Sequence, residues 1–578
     1  MAEKIKILAS IFFLCGFLMV SLNCASQKHY TSLPLITEEN DVMSIPKPKP
    51  RKVSLYEDAI ENIFRREIDE YSNFSWHIRN ATNNHKQAKN INALDEVPNS
   101  TWFTNRNGKH PMSIEELKRG PNRGTGPAMD GPLTIVAAKV EGVSPGFRVK
   151  DRKGDIYFIK FDMKGYPKLN TAAEVITSKF VYAAGYNIPE YYLSTLDPKK
   201  LRIAKGVTVK NRWGREVPMT LDYVEQLLSK CHSSRDGTYR IVASKALEGV
   251  PIGPFSYGGR RKDDPNDLIP HQHRRELRGY KVIAAWLNNF DTRATNTLDM
   301  YVSESGKSFV RHYIIDFGSC LGSAGSGPAV PERGHHGAIS LGNMFLKMIT
   351  LGLWVESWEK EPWLVSLSVG YFESRLFRPG NYAFVTPNPA FQRATELDGF
   401  WGAKIVMSFT DEQIRAIVET GEYSNPKDEE YVIKTLIERR DKTGRYWYSK
   451  VNPLDNFRIN ESTNEHYHIR FDDLSVKAGF EEASNTVYRF KLCYRDKELL
   501  RRYYVSEGHP LIPLVSKIKS VMEHYLTHRL NQRENVFHFK IQTKRGNQSG
   551  WGKYVKIFFN YPITNGKLPQ IIAIEREN

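Results

Sequence analysis

Apolar and polar positions along the chain predict short strands in the stretch that follows Pro132. Runs rich in β-branched and aromatic residues occupy 133–139, 147–151 and 155–162, and this composition is typical of strands. The turn at 152–154 ends in a glycine, so the last two runs are predicted to form a hairpin.

A helical pattern takes over after this hairpin. Apolar residues recur with helical spacing from Ala172 to Ala183. Asn170 or Thr171 is the predicted N-cap, because short polar side chains satisfy the first backbone N–H groups of a helix. Gly185 lies just past the last turn, where glycine often ends a helix.

The rest of the chain is first mainly helical and then rich in strands. Helices are predicted at about 275–289, 411–419, 429–440 and 514–530, and strands are clearest at 487–492 and 554–559. Strands, helices and again strands along one chain indicate an α+β protein.

Composition narrows the class of protein. The chain has 578 residues, of which 40% are hydrophobic and 25% charged, so it is a globular protein of several domains and not a disordered chain. Its net charge of +17 favours anionic partners, but without a recognisable binding module we expect no nucleic-acid partner. The five cysteines form no Cys-x-x-Cys pair and the His-His at 335–336 has no matching ligands nearby, so neither a disulfide framework nor a zinc site is predicted.

The first 52 residues have the pattern of an exported protein. An apolar run at 7–20 follows two lysines and is itself followed by Cys24, which is typical of a signal peptide and resembles a bacterial lipobox. The run is shorter than the roughly 20 residues that span a bilayer. We predict a lipoprotein-type signal peptide at 1–24, lipid on Cys24, and a polar proline-rich tether at 25–52. The protein would then be anchored to the inner or outer membrane, facing the periplasm or the cell surface; soluble secretion is the alternative.

Polar residues in four short segments have the spacing that phosphoryl transfer requires. Lys160 lies within an apolar strand, and Glu174 lies in the first turn of the next helix; a lysine held by a helix carboxylate can bind nucleotide phosphates. Asp291 and Asn296 lie five residues apart, so one loop can supply both a general base and a metal ligand. Asp316 ends a buried-type strand in the sequence Asp-Phe-Gly, where its carboxylate can bridge Mg²⁺ to a nucleotide.

On these residues, the chain resembles the protein-kinase-like superfamily, most closely its atypical HipA-type and phosphoinositide-kinase-like branches. It also looks like uncharacterised bacterial proteins that carry His-Arg-Arg-Glu-Leu-Arg-Gly and Ala-Ala-Trp-Leu-Asn, here at 273–279 and 284–288. The resemblance covers roughly 132–447 and implies a two-lobed kinase-like fold. The predicted parts are an N-terminal extension at 53–130, an N-lobe at 131–250, a C-lobe at 251–455 and a β-rich C-terminal domain at 456–578.

The resemblance implies ATP as a cofactor, bound between the lobes. Lys160 would bind its α- and β-phosphates, and Glu174 would position Lys160. The chain has no Gly-x-Gly-x-x-Gly, but a shorter turn contains Gly142, Ser144 and Gly146. The backbone N–H groups of this turn would hold phosphate, as in the shortened loop of the HipA branch.

The resemblance also implies roles around the predicted base. Asp291 would be the catalytic aspartate, and Arg293 would lie where kinases keep a lysine that contacts the γ-phosphate. Asn296 and Asp316 would be the ligands of Mg²⁺. No His-Arg precedes Asp291 and no clear Ala-Pro-Glu follows it, so regulation of the eukaryotic kind is not predicted.

Several other segments are predicted to be structural. The basic runs at 260–262 and 273–275 are expected to be solvent-exposed faces, with phosphate binding as the alternative. Tryptophans 354, 358 and 363 are expected in the core or an interface.

The predicted function is Mg²⁺-dependent transfer of a phosphoryl group from ATP to a hydroxyl of a protein, lipid or glycan in the cell envelope. Two alternatives remain open at this point. One is a catalytically silent, nucleotide-binding pseudokinase scaffold, which the scarcity of ATP outside the cytoplasm favours. The other is a nucleotidyltransferase that binds the nucleotide in the reverse direction.

Overall fold

The computed structural model describes the chain from Asp41 to Glu577 with internal gaps. The described ranges are 41–52, 74–82, 85–139, 144–211, 213–337, 341–360, 364–462, 466–500, 504–514, 516–529, 535–546, 549–561 and 569–577. The predicted signal peptide with Cys24, and Gly142 of the predicted phosphate turn, lie outside these ranges. Among the helices described, none has the length and apolar character needed to cross a membrane.

A six-stranded sheet and one long helix follow an extension that contains two short helices. The elements of this part are α1 (Phe74–Ala81), α2 (Ile114–Arg119), β1 (Leu133–Ala138), β2 (Gly146–Lys150), β3 (Ile156–Phe161), α3 (Leu169–Ala183), β4 (Tyr191–Leu196), β5 (Leu201–Ile203), β6 (Thr208–Lys210), β7 (Glu216–Pro218), α4 (Leu221–Leu228) and β8 (Tyr239–Lys245). The strand order is β4-β8-β3-β2-β1-β5, and β6 pairs with β7. The predicted hairpin is confirmed, since β2 and β3 pair antiparallel from Gly146↔Lys160 to Lys150↔Ile156.

The start of α3 differs from the prediction. Asn170 and Thr171 are not the N-cap; that position is Lys168, which has a φ of 65° and makes no capping hydrogen bond with its side chain. Asp162, at the end of β3, instead accepts hydrogen bonds from the backbone N–H groups of Asn170 and Thr171, both at 2.9 Å. Because the capping carboxylate comes from the preceding strand, the local pattern around the helix start does not reveal it.

A small sheet and a group of buried helices form the second lobe. Its elements are β9 (Val250–Gly253), α5 (Arg275–Trp286), β10 (Thr297–Glu304), β11 (Lys307–Ile314), α6 (Leu341–Ile349), α7 (Pro389–Gln392), α8 (Glu396–Met407), α9 (Asp411–Glu419) and α10 (Pro426–Tyr448). One apolar core contains residues of α3, α5, α8, α9 and α10, and the inner face of the large sheet has its own core. Helix α3 is therefore packed on the helical lobe, for example through Phe180 and Trp286, whose ring centroids lie 4.9 Å apart.

The basic run at 273–275 is buried, so the prediction of a solvent-exposed face is wrong there; at 260–262, Arg260 and Lys262 are exposed as predicted and only Arg261 is buried. Arg275 and Arg278 are fully buried and both pair with Asp398, at 3.1 and 2.9 Å. Arg261 is buried beside Asp299 at 3.1 Å. Burial of a charge requires a partner, and here most partners lie far away in sequence, where inspection of the basic runs alone does not find them.

Part of the predicted tether lies on the folded body. Within 41–52, the backbone N–H of Ile45 donates to Ser308 O at 2.9 Å and that of Arg51 donates to Ile252 O at 2.8 Å. Every second residue between Ile45 and Arg51 is a proline. Alternate residues of an extended chain point the same way, so the backbone N–H donors face the sheet. The prolines, which lack an N–H, point away and do not interrupt these hydrogen bonds. Residues 41–52 are therefore an ordered strap and not a free linker.

The C-terminal part consists of two antiparallel sheets. Its elements are β12 (Leu454–Ser462), β13 (His466–Asp473), α11 (Leu474–Lys477), β14 (Thr486–Tyr494), β15 (Lys497–Glu498), β16 (Tyr504–Glu507), β17 (Leu511–Leu514), α12 (Ser516–Arg529), β18 (Val536–Arg545), β19 (Tyr554–Asn560) and β20 (Gln570–Arg576). The strands pair in the orders β12-β13-β17 and β15-β14-β18-β19-β20, with β16 also on β14. The α+β fold class is thus confirmed, with a sheet lobe, a helical lobe and a β-rich C-terminal part.

Candidate functional site

Lys160 lies at the centre of a charged cluster between the two lobes. It extends from β3, and its Nζ contacts Glu174 Oε1 of α3 and lies 2.8 Å from Asp316 Oδ1. Glu174 is fully buried, so its charge depends on this lysine. The structure therefore brings together three of the predicted site residues from a strand, a helix and the segment after β11.

The charges of this cluster support one another. Burial alone would lower the pKa of Lys160, but the carboxylates of Asp316 and Glu174 outweigh burial and raise it. Burial would likewise raise the pKa of Asp316, yet Lys160 and Lys139 hold it well below its usual range. The pKa of Glu174 is raised by burial, and contact with Lys160 offsets only part of that effect. Lys160 and Asp316 are therefore an ionised pair at neutral pH.

The Asp-Phe-Gly segment is held in an uncommon backbone conformation. Asp316 has a φ of 62°, a region that residues other than glycine seldom adopt and that often marks functional sites. The backbone N–H of Phe317 donates to Glu174 Oε2 at 3.2 Å. A Cβ at Gly318 would come within 2.7 Å of Asn170 Oδ1, so a larger residue there would require the Asn170 side chain to shift. These contacts fix the direction of the Asp316 carboxylate, of which 38% remains accessible to solvent.

The loop that carries Asp291 is hydrogen-bonded to the segment that carries Asp316. Asn296 Nδ2 donates to the backbone carbonyl of Asp291 at 2.6 Å, and the backbone N–H of Ile315, next to Asp316, donates to Asn296 O at 3.0 Å. Arg293 holds the Asp291 carboxylate through two contacts, of 2.7 Å from Nε and 2.9 Å from Nη2. The five-residue spacing thus closes a compact loop beside the Asp-Phe-Gly segment.

The predicted phosphate turn is only partly described, and its two described residues differ in role. Ser144 is buried and its hydroxyl donates to Gly325 O at 2.9 Å, so the side chain holds the loop that follows Asp-Phe-Gly. Gly146 lies inside β2, where a Cβ would come within 2.2 Å of Ile159 O. This close approach of two backbone segments explains why a glycine occupies position 146.

Sequence reasoning missed a second lysine, Lys139, at the end of β1. Its Nζ donates to Ser144 O at 2.9 Å. Burial, and after it the nearby Lys160 cation, lowers the pKa of Lys139 to about 8, and Asp316 opposes this shift. Only its place at the end of an apolar strand in the predicted N-lobe could have indicated it.

A mainly antiparallel sheet lobe, a helical lobe and a strand lysine paired with a helix carboxylate beside Asp-Phe-Gly define a kinase-like fold. Among solved structures, the chain is similar to a proinflammatory kinase of Helicobacter pylori, CtkA, at 13% identity over 56% of this chain and 99% of that one, with a TM-score of 0.30. It is also similar to the Golgi casein kinase, at 9% identity over 72% of this chain and 96% of that one, with a TM-score of 0.29. No protein-family model matches the chain, and no curated protein matches it.

Proposed function

We propose that this protein is a phosphotransferase that moves the γ-phosphoryl group of ATP to a hydroxyl acceptor with the help of Mg²⁺. The observation that carries this proposal is the contact of Lys160 with both Glu174 and Asp316. That arrangement places one cation where nucleotide phosphates bind and one carboxylate where a metal ion binds.

The donor set fits a magnesium ion. Asp316 Oδ1 faces Lys160, whereas its Oδ2 makes no hydrogen bond within the described part of the chain. Asn296 uses Nδ2 as a donor to Asp291 O, which leaves its Oδ1 as an acceptor. Mg²⁺ prefers such hard oxygen ligands, and when bound with ATP it would neutralise charge on the phosphates.

The chain's own residues would divide the remaining tasks. Lys160, held by Glu174, would bind the α- and β-phosphates, and Lys139 would add a second positive charge on the same sheet. Asp291 would accept the proton of the acceptor hydroxyl. Arg293, which now holds that carboxylate, would orient it and contact the transferred group.

We expect nucleotide binding to depend on the metal. Calorimetry with a non-hydrolysable ATP analogue should show binding to the wild-type protein with Mg²⁺, and EDTA should weaken it. Asp316→Ala should lose this metal dependence, because it removes one of the two proposed ligands. Equal binding by wild type and variant, with and without EDTA, would show that the metal assignment is wrong.

We also expect nucleotide affinity to depend on the charge of Lys139. With a pKa of about 8, this side chain is a cation at pH 7 and largely neutral at pH 9, so affinity should fall as the pH rises, by roughly tenfold at most. Lys139→Met should bind weakly at both pH values and lose this dependence. Lys179→Met is the matched control, because burial also lowers the pKa of Lys179 to about 8 but this lysine has no contact with the cluster. An identical pH profile in Lys139→Met and wild type would exclude the role.

A further inference from the structure

An exposed apolar segment of the second lobe comprises most of α6 and the residues that follow it, up to the turn at 357–360. We call residues 344–355 the apolar protrusion. It contains nine large apolar side chains, and all of them are exposed: Met344, Phe345, Leu346, Met348, Ile349, Leu351, Leu353, Trp354 and Val355. Soluble proteins seldom expose so many neighbouring apolar side chains without a binding partner.

The helix in this protrusion has a broad apolar face that is left exposed. The five exposed apolar residues within 344–349 cover an arc of about 200° at 100° per residue, and Lys347 lies on the remaining side. The most exposed side chains are Leu351 at 90% and Leu353 at 84%, directly after the helix. Leu351 also has a φ of 50°, a conformation that glycine adopts far more easily. No packing within the described chain accounts for a leucine there.

Polar contacts close the base of the protrusion and leave its tip apolar. Lys347 Nζ lies 2.9 Å from Glu359 Oε1, and Trp354 Nε1 donates to Glu356 Oε1 at 3.2 Å. Between residues 348 and 355 there is no charged residue. The order is therefore an apolar tip, a tryptophan at the rim and charges at the base.

We infer that the apolar protrusion inserts into the surface of a lipid bilayer. An amphipathic helix with one broad apolar face is the kind of helix that lies in the plane of a membrane interface, with that face in lipid. Tryptophan is favoured at the boundary between lipid and water, where the rim places Trp354. The helix has nine residues, too few to span a bilayer, so the insertion is interfacial. The net charge of +17 is complementary to an anionic membrane surface.

The base of the protrusion borders a cavity. Glu356 and Trp358 line this cavity of about 280 Å³, which reaches Asn288, three residues before Asp291 in the sequence.

A fluorescent label at the tip tests the inference without depending on how the chain reaches the membrane. The full chain carries Leu353→Cys, with Cys15 and Cys24 replaced by Ala; the described native cysteines, Cys231, Cys320 and Cys493, are buried. An environment-sensitive label should brighten several-fold on vesicles of equal parts phosphatidylcholine and phosphatidylglycerol. The control is Leu268→Cys, because Leu268 is also exposed, at 65%. An equal response at both positions would overturn the inference.

Adding negative charge at the tip distinguishes insertion into lipid from coverage of the protrusion by protein. With the label on Met348→Cys, adding Leu351→Asp and Leu353→Asp should remove most of the several-fold brightening on vesicles, because aspartate resists transfer into lipid. The melting temperature should not change, since both leucines are exposed. A label at 353 that is already shielded from a water-soluble quencher before vesicles are added would mean that a second copy or another part of this chain covers the protrusion, and the inference would be wrong.

Discussion

The phosphotransfer rate of an Asp291→Asn variant is expected to fall by a factor of about 10² to 10⁴, which is the usual effect of removing a general base. Its affinity for ATP should stay nearly unchanged, because the base touches the acceptor more than the nucleotide. Asparagine keeps one oxygen that can accept the hydrogen bond that Arg293 Nη2 donates at 2.9 Å, so the loop should keep its shape. The measurement is a transfer assay with γ-labelled ATP on the protein itself and on envelope extracts.

The matched control is Asp441→Asn. Asp441 also pairs with an arginine, Arg440, at 2.7 Å, but it lies on α10 and takes no part in the site. Its activity should equal that of the wild type. Parallel assays with α-labelled ATP distinguish phosphoryl from nucleotidyl transfer. If ATP binds and neither label is transferred, the proposed function fails and a pseudokinase scaffold takes its place.

A Lys160→Met variant is expected to lose both nucleotide binding and stability. The substitution leaves Glu174, which is fully buried, without its cation, and breaking a buried ion pair in this way typically costs about 3 to 5 kcal/mol. Urea unfolding should report this loss. Nucleotide affinity should fall by about tenfold or more, because the phosphates lose a charged hydrogen-bond donor.

A double variant separates the two effects. Lys160→Met with Glu174→Gln removes the unpaired charge and keeps an oxygen that accepts the Phe317 N–H, so most of the stability should return while nucleotide affinity should not. Lys404→Met is the control, since Lys404 is largely buried, with 15% of its side chain exposed, and lies 2.7 Å from Asp455; it should lower stability and leave affinity unchanged. A double variant that regained affinity would show that Lys160 has only a structural role.

Local patterns were sufficient where the interacting elements are neighbours along the chain. The hairpin of β2 and β3, and the placement of Lys160 and Glu174 on successive elements, follow from periodicity and turn residues because those contacts form within about 15 residues. The proximity of Asp291 and Asn296 could be predicted for the same reason. The conformation of Asp316 could not, because its left-handed φ depends on contacts with Glu174 and Tyr191 from other elements.

Predictions failed where a distant partner decides the outcome. Arg275 belongs to a basic run that looks solvent-exposed, yet it is buried and paired with Asp398, 123 residues away. The cap of α3 was missed because Asp162 lies before the helix, which begins at Leu169, and outside the usual capping position. Lys139 was missed because a lysine at a strand end is usually solvated, and only the assembled sheet places it near Lys160.

If Cys24 carries the predicted lipid, the strap at 41–52 shortens the stretch of chain between that anchor and the folded body. Asp41 follows Cys24 by 17 positions in the sequence, so the largest possible span is roughly 60 Å, compared with roughly 100 Å for a tether that ended at Lys52. For a flexible linker, effective concentration falls with about the three-halves power of its length. The strap would therefore raise the effective concentration of membrane-bound partners around the folded body by about twofold.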